Sequence, residues 1–213
     1  MARPRKDQDS PQARQRLINA FWNLLETNRI SDLTVGAISV KAGCNRGTFY
    51  YHFTDMNDLV FSAIESELLD NGNISNDIFN LVAGGDDELL ERLIGNDRMS
   101  RLSLMTERGG FEMVESKVKS VLMSMWETIL CPYGSSITLE TRQIIEYASS
   151  GMLGLLTYRS RQLAKGEDAP FPGRFVTDAA SFGLKQISVA QGIPEEEIIS
   201  RLTMLNKFMN ISN

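Results

Sequence analysis

Apolar residues recur at helical spacing through most of the chain, and no segment sustains the alternation of a strand. Leu17, Ile18, Phe21, Leu24 and Leu25 form a first stripe, preceded by Ser10 and Pro11 as N-cap and first helical position. Leu59, Val60, Ala63, Ile64 and Leu68 form another, opened by Asp55 as cap with Asp58 in a capping-box-like place. Residues 71–87 are rich in breakers around a short apolar island, and Leu89, Leu90, Leu93 and Ile94 then give a short helix. Residues 98–107 and 111–130 read as two helices separated by Gly109 and Gly110. Long helices are expected over 138–165 and 173–190, and a last one opens after Pro194 with Glu195, Glu196 and Glu197 in its first turn. The fold class is all-α.

Residues 34–53, TVGAISVKAGCNRGTFYYHF, break this rhythm. Thr34 is an N-cap for a short helix through Val35, Ile38 and Ala42. Gly43 ends it, because glycine takes the left-handed conformation without a Cβ clash. Asn45 caps a second short helix over residues 46–53. Two short helices joined by a tight turn containing glycine make a helix-turn-helix. At about 100° per residue, Phe49 and Phe53 share the face that must be buried. Gly47 and Tyr51 lie nearly opposite, with Thr48 just beyond them, Arg46 and Tyr50 on one flank and His52 on the other. Such a face suits the major groove: Gly47 permits close approach, Thr48 is placed for a base edge, and Arg46, Tyr50 and His52 for phosphates.

This stretch resembles the TetR-type bacterial transcriptional regulators. The shared pattern stands here as Thr34-Val35, Ile38-Ser39, Ala42-Gly43-Cys44-Asn45, Gly47-Thr48-Phe49-Tyr50, His52-Phe53 and Leu59, over about the first third of the chain. Ser39 replaces the family's usual Ala, and Cys44 an aliphatic residue at the turn. Met56 stands where the family carries a phosphate-contacting Lys. The resemblance implies a DNA-binding domain at 1–55 and a helical effector-binding and dimerising domain at 56–213. It implies a mostly apolar pocket in that body for a small apolar or amphipathic effector, whose lining residues are unknown. It also implies an intersubunit four-helix bundle near the C-terminus. There Ala148, Gly151 and Gly154 allow close approach, and Met152, Leu155 and Leu156 supply apolar surface. These residues completing the monomer's own core is the alternative.

Charge agrees with a DNA-binding head. The net charge is −5, but residues 1–55 hold eight Lys/Arg against five Asp/Glu, whereas the remainder holds fourteen against twenty-two. Arg3, Arg5 and Lys6 form either a frayed terminus or an arm along DNA. No apolar run follows the basic N-terminus and none reaches membrane-spanning length; with only Cys44 and Cys131, a reducing cytoplasm is expected.

Catalytic chemistry finds little support. His52 is the only histidine, no metal-ligand spacing occurs, and there is no phosphate-binding or dinucleotide fingerprint. No cofactor is expected. The acid pairs read as solvated helix starts, and the GGDD at Gly84 as a loop. Cys44 reads as a small buried side chain, against the alternative of a redox switch. Met99, Met105, Met113, Met123, Met125 and Met152, with Phe111, Trp126 and Tyr147 nearby in sequence, mark the helices expected to wall an effector pocket. The expected function is a homodimeric regulator, a repressor released from its operator by a small ligand. The alternative is a DNA-binding module whose body binds another protein.

Overall fold

Residues 11–69 and 97–211 are described by the computed structural model, and every regular element among them is helical. The Arg3, Arg5 and Lys6 arm, the Ser10 cap, the apolar island and GGDD in 71–87, and the helix expected around Leu89 to Ile94 lie outside the described residues.

Helix α1 (Pro11–Leu25) starts on the proline, whose missing N–H costs nothing in the first turn. Beyond its end the Asn28 side chain donates to the Leu24 carbonyl at 2.8 Å. A short 3₁₀ turn (Ile30–Asp32) leads to α2 (Val35–Lys41), α3 (Arg46–His52) and α4 (Met56–Leu69). At the start of α4, Asp55 Oδ1 accepts from the Asp58 N–H at 2.9 Å. Asp58 reaches back to the N–H of Thr54 at 2.8 Å, one residue beyond the capping-box position.

Helix α5 (Asp97–Met105) runs into a π-helical turn (Thr106–Gly110) and then α6 (Phe111–Leu130). The expected break is real. Gly109 takes φ 94°, and a Cβ on Gly110 would sit 2.8 Å from Met105 Cγ, so this turn needs both glycines for different reasons. The chain forms two compact units, one from Met1–Glu67 and Arg101–Lys117, the other from Leu68–Ser100 and Val118–Asn213.

Within the first unit, Leu17, Ile18, Phe21 and Leu25 of α1 are buried beneath α2 and α3. Three basic side chains of the 101–117 segment are tied to the N-terminal helices. Arg101 pairs with the buried Glu67 of α4 and stacks over the Trp22 ring. Arg108 donates to the Glu26 carbonyl just past α1, where helix carbonyls lack internal partners. Lys117 pairs with Glu65 at 3.0 Å.

In the second unit, α7 (Leu139–Ala164) and α8 (Gly173–Gln191) pack antiparallel, followed by α9 (Glu195–Ile211). The direction is fixed at both ends. Thr138, the N-cap of α7, donates its hydroxyl to the Ala190 carbonyl at 3.2 Å and its N–H to Gln191 Oε1 at 3.1 Å. At the other end Met152, Leu155 and Leu156 pack against Phe171 and Val176. The main core gathers Trp126, Ile129 and Leu130 of α6, Ile145 of α7, Leu184 and Ile187 of α8, and Ile198 and Leu202 of α9. Arg201 donates to the Ile129 carbonyl at 2.9 Å, satisfying the last turn of α6. No helix among the described residues is long and apolar enough to cross a membrane.

Of the residues expected to mark pocket-wall helices, Met123, Met125 and Trp126 share the main core of the second unit. Met105 is buried in the first unit, Met125 and Trp126 lie in the core of the second, and Tyr147 points outward with 82% of its surface exposed.

Candidate nucleic-acid interface

Two caps and one turn hold the helix-turn-helix. Thr34 Oγ1 accepts from the Ala37 N–H at 3.2 Å, fixing the start of α2. At its end Gly43 takes φ 65°, and the Cys44 N–H donates to the Ser39 carbonyl at 2.9 Å, closing a Schellman-type turn. Asn45 Oδ1 then accepts from the Thr48 N–H at 2.8 Å and starts α3. Phe49 and Phe53 are buried with ring centroids 5.6 Å apart, anchoring α3 through the face that the spacing selects. Arg14 of α1 covers the Phe53 ring at 5.5 Å.

With that anchor set, Arg46, Gly47, Tyr50 and Tyr51 face outward, the two tyrosines 59% and 61% exposed. Thr34 and Asn45 are also at the surface, though each side-chain oxygen is engaged in a cap. Two residues expected to contact DNA are more enclosed than the others. Thr48 is only 4% exposed and its hydroxyl donates to Asn45 Oδ1 at 3.3 Å, which ties it to the turn. His52 is half-buried, with its ring against Tyr51 and Phe53 and its Nε2 buried without a hydrogen-bond partner.

The structure adds α2 residues that the spacing did not single out. Ala37, Val40 and Lys41 are exposed, and Gly36 lies beside the Arg46 side chain. The helical period of α2 held the signal, since these are the positions left over once Ile38 and Ala42 are assigned inward. Met56, where a family lysine is expected, is half-buried at the start of α4. Cys44 is half-buried and is no simple filler: Arg16 Nη2 approaches its Sγ at 3.7 Å. Among the described residues no three His, Cys, Asp or Glu side chains converge as metal ligands.

Ser39 has a measurable consequence. It is buried in α2 and its hydroxyl has no partner, a desolvation cost that alanine does not carry. Ser39→Ala is expected to stabilise the protein by about 1 kcal/mol in urea melts. Lower stability would show that the hydroxyl is satisfied in solution.

The comparisons with known proteins bear on this same stretch. Residues 17–63 match the family model of bacterial regulatory proteins, tetR family, a segment that contains the whole helix-turn-helix. Among solved structures, the chain resembles a tetR-family transcriptional regulator from Streptomyces coelicolor, at 15% identity and a TM-score of 0.46 over 95% of this chain and 98% of that one. It also resembles the dihydroxyacetone kinase operon activator DhaS, at 17% identity and a TM-score of 0.44 over 84% of this chain and 97% of that one. No curated protein sequence matches significantly. The helix-turn-helix segment thus has the sequence of the DNA-binding domain of bacterial regulatory proteins of the tetR family.

Proposed function

We propose that this regulator binds a pseudo-palindromic DNA operator as a homodimer and acts as a repressor, leaving the operator when a small apolar or amphipathic effector enters its helical body. The observation that supports the DNA contact is the anchored α3, whose buried Phe49 and Phe53 leave Arg46, Gly47, Tyr50 and Tyr51 outward. Gly47 and Tyr51 meet the groove, while the Tyr50 hydroxyl and the Arg46 guanidinium reach phosphates. In this reading the DNA-binding function belongs to the head at 1–55, and effector binding and dimerisation to 56–213.

A second copy of the chain is the proposed occupant of the outer face of α7 and α8. Tyr147, Ala148, Gly151, Gly154 and Tyr158 are exposed along α7, and Phe175, Ala179, Phe182 and Val189 recur at helical spacing along α8. Two-fold symmetry suits a protein that reads two half-sites, and a self-complementary face provides it. Met152 and Leu155, expected in the same interface, are half-buried against Phe171 and Val176, so they support this face from behind. The reading in which the body binds a different protein uses the same exposed residues; the solution mass of the pure protein separates them.

Tyr50→Phe tests the DNA contact. Losing one hydrogen bond to a charged phosphate costs about 1.5 kcal/mol, roughly tenfold in affinity. The effect is expected to be equal for all duplex sequences in a gel-shift series. Thr48→Val is expected to leave base preference unchanged. Unaltered affinity in Tyr50→Phe, or a new base preference in Thr48→Val, would reverse the orientation assigned to α3. Effector release is tested by mass spectrometry of small molecules retained by the purified protein, followed by their effect on operator binding.

A further inference from the structure

Gly36 is the second residue of α2, a place where glycine costs helix stability relative to alanine. The three heavy atoms nearest to a Cβ built there all belong to the Arg46 side chain, Nη2 at 2.9 Å, Nε at 3.6 Å and Cζ at 3.7 Å. The guanidinium of the first α3 residue therefore lies against the backbone of the first turn of α2. Nothing else in the fold asks for a bare Cα at this position. Among the described residues, the ion pairs formed by basic side chains do not include Arg46, so its charge is uncommitted. A residue that breaks a local rule with no packing reason points to function.

We propose that Gly36 is a positioning residue: it seats the Arg46 guanidinium on α2 and so makes Arg46 a phosphate contact and not a base reader. The inference rests on the DNA-binding reading above and deepens it. An arginine opening the second helix of the motif has two directions open to it. Swung forward it meets base edges; laid back on the first helix it meets the backbone that this helix crosses. The seat selects the second direction before DNA arrives, which reduces the side-chain ordering that binding would otherwise require. The guanidinium keeps its donors free for phosphate oxygens.

Three variants test this: Gly36→Ala, Arg46→Ala and the double variant. Each is measured for its urea midpoint, for the salt dependence of binding to a fixed duplex of arbitrary sequence, and for base preference in a randomised duplex library. Gly36→Ala is expected to raise the urea midpoint, because the methyl displaces only the mobile end of an arginine. It is also expected to flatten the log–log salt slope by about 0.9 for each phosphate that Arg46 no longer neutralises. Arg46→Ala should flatten the slope equally, the double variant no further, and base preference should stay the same in all three. Opposite movement of stability and DNA affinity is an outcome that a purely structural glycine would not give.

The proposal is overturned if Gly36→Ala leaves the slope unchanged or lowers the urea midpoint. It is equally overturned if the two slope changes add in the double variant, or if Arg46→Ala alters preference at one base position. Each of those results leaves the wild-type slope intact and the DNA-binding reading standing. A wild-type protein with no salt-dependent duplex binding would remove that reading, and this inference with it.

Discussion

Gly151→Arg is expected to give a folded, helical monomer that has lost most of its operator affinity. Gly151 lies on the exposed side of α7, and a Cβ built there meets nothing within 4 Å; the same holds at Gly154. The monomer therefore has room for an arginine, and a second α7 packed against this face does not. The surrounding surface is too apolar to read as an ordinary solvated flank, with Tyr147 on α7 and Phe182 on α8 exposed at 82% and 64%. Joining two heads makes the second half-site contact intramolecular, worth about 10²–10⁴ in affinity. A monomer forfeits that factor. The measurements are sedimentation for mass, circular dichroism for helix content and gel shift for operator affinity. A dimeric variant would move the interface elsewhere, and an unfolded one would mean that the glycine serves the monomer. Leu155→Ala is the contrast: half-buried against Phe171 and Val176, it should lower stability while leaving the mass of a dimer.

Arg101→Ala is expected to destabilise the first unit by about 3 kcal/mol, a large part of the ~5–15 kcal/mol typical of a whole domain. Glu67 is 3% exposed and its carboxylate takes the Arg101 guanidinium as partner. Removing the cation takes a charged partner from a buried carboxylate. Arg101 is itself 45% exposed, so water screens part of the pair and the low end of the range for buried pairs applies. Removing the stacking over Trp22 adds to the effect. Urea melts of Arg101→Ala and Glu67→Gln separate the contributions, since glutamine removes the charge that needs compensation and should cost less. A change below about 1 kcal/mol in Arg101→Ala would place the pair with ordinary surface ion pairs. By the same reasoning a fragment ending at residue 69 should melt well below the full chain, because Arg101, Arg108 and Lys117 all fasten onto it from outside.

Helix ends and the identity of the motif were legible in the residues alone. Thr34 and Asn45 cap the helices expected of them, a helix starts at 138 as expected, and Gly43 takes the expected left-handed turn. Helix α6 has the expected bounds, Phe111–Leu130. These features are local: a cap or a helix-ending turn is satisfied within four or five residues, so the residue types nearby suffice to specify it. Phe49 and Phe53 were legible for the same reason, because two phenyl rings one turn apart give a short helix one strongly apolar face. Packing between helices set what happens at the edges of each face. A helical wheel gives angles from an anchor, but it does not say how widely the neighbouring helices cover that anchor. The cover beside Phe49 is wide enough to bury Thr48 and turn the His52 Nε2 inward, while Tyr50 and Tyr51 stay out. The pairing of Arg101 with Glu67, and the seat of Arg46 on Gly36, join residues on different helices. No periodicity within a single helix encodes such a contact; it exists only once packing brings the two backbones together.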